Sequence, residues 1–341
     1  MKMATYIVRR LLLLIPVLIG VSIFVFALTR IGGDPAAAYI TEKMSEQQIA
    51  QIYEKYHFNE PYYTQYWYWL AGMVQGDWGL AKSEKNMPVT EVIMTKFPAT
   101  FELATVSMLI AVAVGISLGT ISAVRRDKPI DHATRIVALS GVCLPIFVLA
   151  LILQYIFYYQ LSIFPSGGRW DPMLSLQTGG FTRYTGFAVI DTALSGNWTM
   201  FGDVIYHLVL PAVTLSFGTI AILTRIMRSS MLETLGQDYV KTARAKGLPK
   251  KAVINRHARK NALIPTTTVV GLAFGGLLTG AVLTETIYSW PGLGDWSTQA
   301  IIQNDTASIL GFVMVVALVY VLANLIVDLL YAYLDPRVRL G

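Results

Sequence analysis

Charged residues and cysteine are scarce in this chain. Charged side chains make up 14% of its 341 residues, whereas soluble domains carry about 25%. The single cysteine, Cys143, excludes a disulfide within the chain and a cluster of cysteine metal ligands. The four histidines show no metal-ligand spacing. Little charge and 54% hydrophobic residues together indicate a membrane protein.

A nucleotide-binding phosphate loop is also missing. The nearest string, Gly79-Leu-Ala-Lys-Ser83, has no glycine before its lysine. We therefore expect no cofactor in this chain, and a process driven by ATP would need a partner that binds the nucleotide. Basic loops beside apolar runs favour membrane lipid, and not nucleic acid, as a partner.

Long apolar runs dominate the chain. Only a helix satisfies its own backbone hydrogen bonds in lipid, and it needs about 20 residues to cross. The sequence therefore predicts an all-α membrane protein with six transmembrane helices. The first is expected to be retained, since its apolar stretch exceeds the core of a signal peptide. The six runs lie near 8–28, 99–124, 137–164, 204–227, 262–286 and 307–334.

Basic residues are distributed unevenly around these runs. With the N-terminus inside, most of the 27 lysines and arginines fall on one side, close to the apolar runs. Because short cytoplasmic loops are enriched in Lys and Arg, we predict a multi-pass protein of the cytoplasmic membrane with both termini in the cytoplasm. The predicted divisions are a first helix (1–30), an extracytoplasmic segment (31–98), a membrane core (99–334) and a cytoplasmic tail (335–341).

The outer segment is polar and aromatic. Short helices are expected at 47–56 and 61–74. Tyrosines and tryptophans crowd residues 62–69, and such rings favour the membrane–water interface. An interfacial anchor is therefore favoured over a stacking surface for a substrate or a docked protein.

Glycines recur at four-residue spacing in two of the apolar runs. Such pairs let helix backbones approach closely. Packing within one bundle and a mobile or subunit interface are both open as interpretations. The pairs are Gly115 with Gly119, Gly271 with Gly275, and Gly276 with Gly280.

A basic loop at 229–261 separates the fourth and fifth runs. Its first part, 229–246, is compatible with one helix that carries an apolar stripe. Gly247 suits a left-handed helix end, and Pro249 suits the first turn of a second helix. The pattern predicts two short helices at a sharp angle, with a small close-approach face formed by Ala243, Ala245 and Gly247.

This loop resembles the EAA loop of ATP-binding-cassette (ABC) importer permeases. The matching string, Asp238-Tyr-Val-Lys-Thr-Ala-Arg-Ala-Lys-Gly247-Leu248, has the form found in the dipeptide/oligopeptide/nickel permeases. The resemblance covers nearly the whole chain and is that of the permease subunit with a long outer segment after its first span. Three further strings support it: Tyr6-Ile-Val-Arg-Arg-Leu-Leu, Leu283-Thr-Glu-Thr-Ile-Tyr-Ser-Trp-Pro-Gly-Leu-Gly294 and Asp328-Leu-Leu-Tyr-Ala-Tyr-Leu-Asp-Pro-Arg337.

The resemblance implies a type I ABC importer bundle with an extracytoplasmic insertion after helix 1. It implies an alternating-access pathway for di- or oligopeptides, with nickel or oligosaccharides as alternative cargo. It further implies a second homologous permease, two ABC ATPase subunits that hold ATP and Mg²⁺, and an extracytoplasmic substrate-binding protein. The chain itself would be a transporter subunit without an ATPase site.

The coupling residues carry over by position. With Gly247 at the motif glycine, Lys241 takes the glutamate position, and Thr242 and Ala243 take the two alanines. The motif carboxylate is thus missing, and Asp238, one turn earlier on the same face, is its candidate replacement. The resemblance implies contact with the ATPase by these residues and by Ala245 and Leu248.

Three residues near the outer ends of the runs are candidates for the outer gate or pathway: Glu102, Glu285 and Trp290. Glu102 suits the positive end of a helix dipole, which favours a structural role. Glu285 either contacts substrate or holds the loop that follows it, and we favour the loop.

A different function class has one motif in its favour. Gly115-Ile-Ser117-Leu-Gly119 matches the Gly-x-Ser-x-Gly pattern of serine hydrolases. An intramembrane serine protease, with Ser117 as nucleophile and His207 as base, is the alternative. It is the weaker interpretation because this motif needs a strand–turn–helix elbow, and the string lies in an apolar run.

Overall fold

The computed structural model describes residues 3–31, 36, 40 and 44–334, with the side chains of 12–28, 30, 36, 40 and 44–325. The predicted tail at 335–341 lies outside the described residues. In chain order, the elements are α1 (Met3–Ile31), α2 (Glu46–Lys55), α3 (Tyr62–Val74), β1 (Leu80–Ala81), β2 (Met87–Pro88), α4 (Val89–Val124), α5 (Pro129–Cys143), α6 (Ile146–Gln154), α7 (Pro172–Gln177), α8 (Ala188–Leu194), α9 (Trp198–Leu235), α10 (Asp238–Ala245), α11 (Lys250–Ala252), α12 (Arg259–Ile287), α13 (Leu293–Ile302) and α14 (Thr306–Leu334). Single π-helical turns follow α6 (Tyr155–Gln160) and α11 (Val253–Ala258).

Helices of membrane-spanning length form the bundle. Among the described residues, four helical stretches are long and apolar enough to cross a membrane: Val89–Val124, Trp198–Leu235, Lys250–Ile287 and Thr306–Leu325. A bent pair, Pro129–Cys143 with Ile146–Gln160, makes a fifth if it counts as one span. α1 is apolar over Leu12–Leu28. The all-α membrane fold is confirmed, whereas the count of six spans stays a prediction.

The third predicted span, 137–164, is not one continuous helix. α5 and the helix that follows it meet at an angle of 109°. Pro145 causes the break, because its ring disfavours helical backbone in the preceding residue. Leu144 is accordingly extended, with φ −79° and ψ 123°. The sequence prediction overlooked this proline.

Close packing of α4 on α9 forms the centre of the bundle. A Cβ atom at Gly119 would lie 2.7 Å from both the Met227 Cβ and the Thr224 carbonyl oxygen. A Cβ at Gly115 would lie 2.8 Å from the Leu223 Cβ. Both glycines therefore pack within the chain. Gly115 lies opposite Leu223 and Gly119 opposite Met227, so residue numbers rise in the same direction along both helices and α4 and α9 run parallel.

The outer segment contains more helix than the sequence predicted. α2 and α3 match the expected helices, and α2 begins with a capping box between Ser45 and Gln48. α4 begins at Val89 and not at 99, with Pro98 inside the helix. The second outer loop, after α6, contains α7 and α8. The turn after α12 leads directly into α13.

Candidate functional site

α10 is a short helix set apart from the long α9. Gly236 and Gln237 separate the two helices, and glycine is a poor residue for a helix interior. The prediction of one helix over 229–246 is therefore wrong. Its first part is the end of α9, and only Asp238–Ala245 forms the separate helix.

A small apolar cluster holds α10 against the bundle. Val240 and Ala243 are buried and pack with Val253 and the half-buried Leu235. In addition, Asn261 Nδ2 donates to the Tyr239 hydroxyl at 2.8 Å. Because these partners belong to α9 and to the chain that enters α12, α10 is anchored to the long helices on both sides of it.

The opposite face of α10 is polar and exposed. Lys241 Nζ lies 2.9 Å from Asp238 Oδ1, and these side chains are 65% and 95% exposed. Thr242 is also exposed, and its hydroxyl donates to the Asp238 carbonyl at 2.9 Å. An ion pair this exposed contributes little to stability. These side chains are therefore available to a partner.

Ala243 and Ala245 lie on different faces of α10. Ala243 is 6% exposed and belongs to the internal cluster, whereas Ala245 is exposed. The predicted close-approach face of Ala243, Ala245 and Gly247 is therefore wrong as a single surface. Ala243 positions the helix from within, and only Ala245 and Gly247 are exposed.

Gly247 ends α10 in a left-handed conformation. Its φ is +76°, a region in which residues with a Cβ are disfavoured. The Leu248 N–H donates to the Ala243 carbonyl at 3.3 Å, as in a Schellman-type helix end. A Cβ at Gly247 would meet no atom within 4 Å, so backbone conformation and not space requires glycine. Pro249 stands immediately before α11, one residue earlier than predicted.

The glycine pairs of α12 face two environments. A Cβ at Gly275 would lie 3.2 Å from the Tyr320 ring of α14. Gly276 and Gly280 are exposed, and a Cβ at either would meet no atom within 4 Å. Gly271 is half-buried. One side of α12 thus packs inside the chain, while Gly276 and Gly280 lie on a surface without a described neighbour.

At the other end of the bundle, Glu102 and Arg169 form a buried ion pair. Their side chains are 5% and 8% exposed. Arg169 Nε and Nη2 donate to Glu102 Oε2 at 3.1 and 2.5 Å, and Nη2 also donates to the Gly186 carbonyl at 2.9 Å. The Val189 N–H donates to Glu102 Oε1 at 2.7 Å. Glu102 therefore fixes the second outer loop onto α4.

Glu285 fixes the turn after α12. It is fully buried, and its Oε2 accepts from the N–H groups of Gly294 and Asp295 at 2.7 and 3.2 Å, at the start of α13. A Cβ at Gly292 would lie 2.5 Å from this carboxylate, so glycine lets the turn close over it. The geometry matches the favoured interpretation that Glu285 holds the following loop.

Trp290 lies between these two groups. Its Nε1 donates to the Ala99 carbonyl at 2.9 Å, and its ring centroid is 5.9 Å from the Arg169 guanidinium carbon. Glu102, Glu285 and Trp290 are each buried, so in this conformation they stabilise this end of the bundle. Their role in a gate stays a prediction. We call these residues, with Arg169, the outer cluster.

The chain matches a family of transport proteins along most of its length. The family described as "Binding-protein-dependent transport system inner membrane component" matches residues 115–340, and its N-terminal component matches residues 3–104. The chain belongs to this family.

Curated relatives match nearly the whole chain. The dipeptide transport system permease protein DppB of Alkalihalophilus pseudofirmus is 44% identical over 99% of this chain and 100% of its own length. DppB of Escherichia coli K12 is 41% identical over 99% of both chains. The oligopeptide permease protein AppB of Bacillus subtilis 168 is 38% identical over 99% of this chain and 100% of its own. A solved amino acid ABC transporter with histidines has a TM-score of 0.49 at 15% identity, covering 73% of this chain and 94% of that one.

The protease alternative fails on geometry. Gly115 and Gly119 lie level with Leu223 and Met227 of the parallel α9, so Ser117 lies near the level of 225. His207 is then about 27 Å away along the helix axis. A nucleophile and its base must lie within hydrogen-bond reach of each other. Ser117 is also in the interior of α4 and not in a strand–turn–helix elbow.

Two structural carboxylates escaped the sequence analysis. Asp131 accepts a bidentate pair of hydrogen bonds from Arg228, both at 2.8 Å, and one from the Ser122 hydroxyl. Asp305, which is 1% exposed, accepts from the Ser83 N–H and hydroxyl at 2.9 and 2.8 Å. Both carboxylates suit helix starts, since Asp131 lies in the first turn of α5 and Asp305 lies directly before α14. Their partners, Arg228 and Ser83, are distant in sequence, and no spacing rule predicts them.

Proposed function

We propose that this chain is the permease subunit of an ABC importer for di- or oligopeptides, and that α10 is its coupling helix. The carrying observation is the construction of α10. One face is anchored to both α9 and α12. The other face exposes polar side chains that bond to one another within α10, and it ends in a left-handed glycine. Such a helix transmits motion to the bundle when a second protein holds its outer face.

The cargo follows from the relatives. Those reported above are named as dipeptide and oligopeptide transport permeases, and their similarity covers nearly the whole chain. We therefore favour peptides over nickel or oligosaccharides. Among the described residues, no group of His, Cys, Asp or Glu is arranged to hold a metal ion, so no observation favours nickel.

The assembly that this function requires has four kinds of subunit. A second, homologous permease completes the pathway, and the exposed Gly276 and Gly280 of α12 offer a surface for a close helix partner. Two ABC ATPase subunits bind ATP and Mg²⁺ and hold the coupling helices. An extracytoplasmic binding protein delivers cargo. In this arrangement both termini and α10 are cytoplasmic, and the segment after helix 1 faces outward.

Transport then is a two-state process of the helical bundle. ATP binding closes the ATPase pair and draws the docked α10 helices together. The apolar cluster of α10 transmits this movement to α9 and α12, and the pathway opens toward the binding protein. The nucleotide shifts the equilibrium only by the difference in its contacts with the two states.

The test uses Gly247→Trp in the reconstituted importer, with Gly196→Trp as the matched control. Gly196 has φ +69° and, as at Gly247, a Cβ there would meet no atom within 4 Å, but it lies at the outer end between α8 and α9. Backbone strain is thus similar in both variants. Peptide uptake and substrate-stimulated ATP hydrolysis are measured together, with nickel and an oligosaccharide as comparison cargo.

We expect Gly247→Trp to lose uptake and stimulated ATP hydrolysis while the protein stays folded, and Gly196→Trp to keep both. Normal uptake and stimulated hydrolysis in Gly247→Trp contradict the coupling role of α10. Uptake of the comparison cargo, but not of peptides, would instead contradict the assigned substrate class and leave the coupling role standing.

A further inference from the structure

A cavity of about 470 Å³ opens between α4, α5 and α9, on the side of the bundle that carries α10. One part of its wall is apolar and includes Ala138, Leu139 and Val142 of α5. The other part is strongly basic and includes Arg135 and Arg225. The cavity is separate from α10 and from the outer cluster.

Two arginines at this cavity carry uncompensated charge. Arg135 and Arg225 are exposed, and neither has a carboxylate within 4.0 Å among the described residues. Arg135 donates to His132 Nδ1 at 2.6 Å, which leaves its charge in place. The third arginine of the wall, Arg228, is neutralised by its bidentate bond to Asp131. The cavity therefore presents a net positive charge.

Positive charge and apolar surface occur together in this cavity. Its wall combines Arg135 and Arg225, which have no carboxylate partner among the described residues, with the apolar side chains of α5. This combination is the pattern of a site for an anionic ligand that also has an apolar part.

The level of the arginines in the bundle indicates the ligand. Arg225 lies at the inner border of the predicted apolar run 204–227, and Arg135 lies just before the run 137–164. Both side chains are therefore at the depth of lipid headgroups, while Leu139 and Val142 extend toward the hydrocarbon. Basic pockets between transmembrane helices on the cytoplasmic side suit anionic lipid headgroups.

We propose that this cavity binds one anionic phospholipid. Its phosphate lies between Arg135 and Arg225, and one acyl chain lies along Ala138, Leu139 and Val142. The lipid thereby joins α5 to α9 beside the helix that continues toward α10. This inference does not depend on the cargo or on the coupling role of α10.

Native mass spectrometry of the purified full chain tests the proposal. The protein is incubated with phosphatidylglycerol or phosphatidylcholine of identical acyl chains, and sn-glycerol 3-phosphate serves as a competitor without acyl chains. The charge variant is Arg135→Gln/Arg225→Gln. Its matched control is Arg125→Gln/Lys128→Gln, which removes two exposed charges from the adjacent α4–α5 turn but does not alter the cavity wall. Ala138→Phe fills the cavity with all charges retained.

We expect the wild-type chain to retain phosphatidylglycerol in preference to phosphatidylcholine. The charge variant should weaken phosphatidylglycerol binding about fivefold for each arginine, or roughly 25-fold in total, and the control less than about twofold. Ala138→Phe should lower retention of both lipids. Glycerol phosphate should not displace the lipid.

Four results overturn the proposal. Equal retention of the two lipids by the wild-type chain excludes headgroup recognition. An equal loss in the Arg125/Lys128 control shows general surface attraction. Displacement by glycerol phosphate at the same concentration identifies a site for a free phosphate group. The fourth result comes from the assembled importer. If the importer does not retain the lipid that the single chain retains, another subunit covers the cavity, which also contradicts the proposal.

Discussion

At the outer end of the bundle, the Glu102–Arg169 pair is no more than 8% exposed, whereas the Asp238–Lys241 pair on α10 is at least 65% exposed. The outer pair also bonds to the backbone of the second outer loop, whereas among the described residues the inner pair bonds only within its own helix. The same three long helices, α4, α9 and α12, connect the two ends. The end that holds Glu102 and Arg169 is thus fixed by buried polar contacts, whereas the end that holds α10 exposes its polar groups.

The largest predicted effect is at the outer cluster. Arg169→Met leaves the Glu102 carboxylate buried without its cation, and removing one partner of a buried ion pair costs about 3–5 kcal/mol. We expect a large loss of thermal stability in detergent. Arg183→Met is the control, since Arg183 is exposed and, among the described residues, donates only to the Thr95 carbonyl. Equal melting temperatures for the two variants would refute a stabilising role of the buried pair.

The next effect is at the helix contact that joins the two ends. Gly119→Ala places a Cβ 2.7 Å from atoms of α9, and such overpacking costs about 1–3 kcal/mol. Gly280→Ala, on the open side of α12, should leave the stability of the isolated chain nearly unchanged. A loss of assembly with the second permease in Gly280→Ala, but not of chain stability, would support a subunit interface there. Equal destabilisation by both substitutions would contradict the difference between the two glycine surfaces.

A smaller effect is expected for the inner ion pair. Asp238→Ala and Lys241→Ala should each change the free energy of unfolding by less than about 1 kcal/mol, because exposed pairs contribute little. Chemical denaturation of both single variants and the double variant measures the interaction. At the same time, Asp238→Ala should reduce substrate-stimulated ATP hydrolysis in the assembled importer. If Asp238→Ala or Lys241→Ala lowered the free energy of unfolding as much as Arg169→Met does, the predicted difference between the buried and the exposed ion pair would be wrong.

A pH-dependent effect is expected in the second outer loop. Burial alone would raise the pKa of Asp191, but hydrogen bonds from Thr185 and Gly186, each at 2.8 Å, outweigh it and lower the pKa. The native state therefore gains stability from Asp191 above its unfolded pKa of about 3.9, and loses it as the pH falls through the lower native pKa. Melting temperatures of wild type and Asp191→Asn should converge on acidification. A difference in melting temperature that stays constant as the pH falls would contradict the lowered pKa of Asp191 in the native state.

Local signals in the sequence predicted much of this structure, but they could not predict contacts between residues that are distant in the chain. The apolar runs and the glycine that ends α10 depend on residues close in sequence, so their patterns are readable. The helix break at Pro145 could also have been predicted from the sequence, but the length of the apolar run 137–164 favoured one continuous helix. The inward orientation of Ala243 depends on Val253, and the partner of Glu102 is Arg169. Neither contact can be predicted from a periodic pattern in the sequence, because the path of the intervening chain, and not a fixed residue spacing, brings these residues together.

Site-specific cross-linking tests the central claim most directly. In a Cys143→Ser background, Thr242→Cys places one thiol on the exposed face of α10, and Ala243→Cys places one in its buried cluster as the matched control. The account predicts that Thr242→Cys forms a cross-link with the ATPase subunit of the assembled importer, in an amount that depends on ATP, and that Ala243→Cys forms none. The absence of any cross-link from Thr242→Cys in an importer that transports peptide would contradict it.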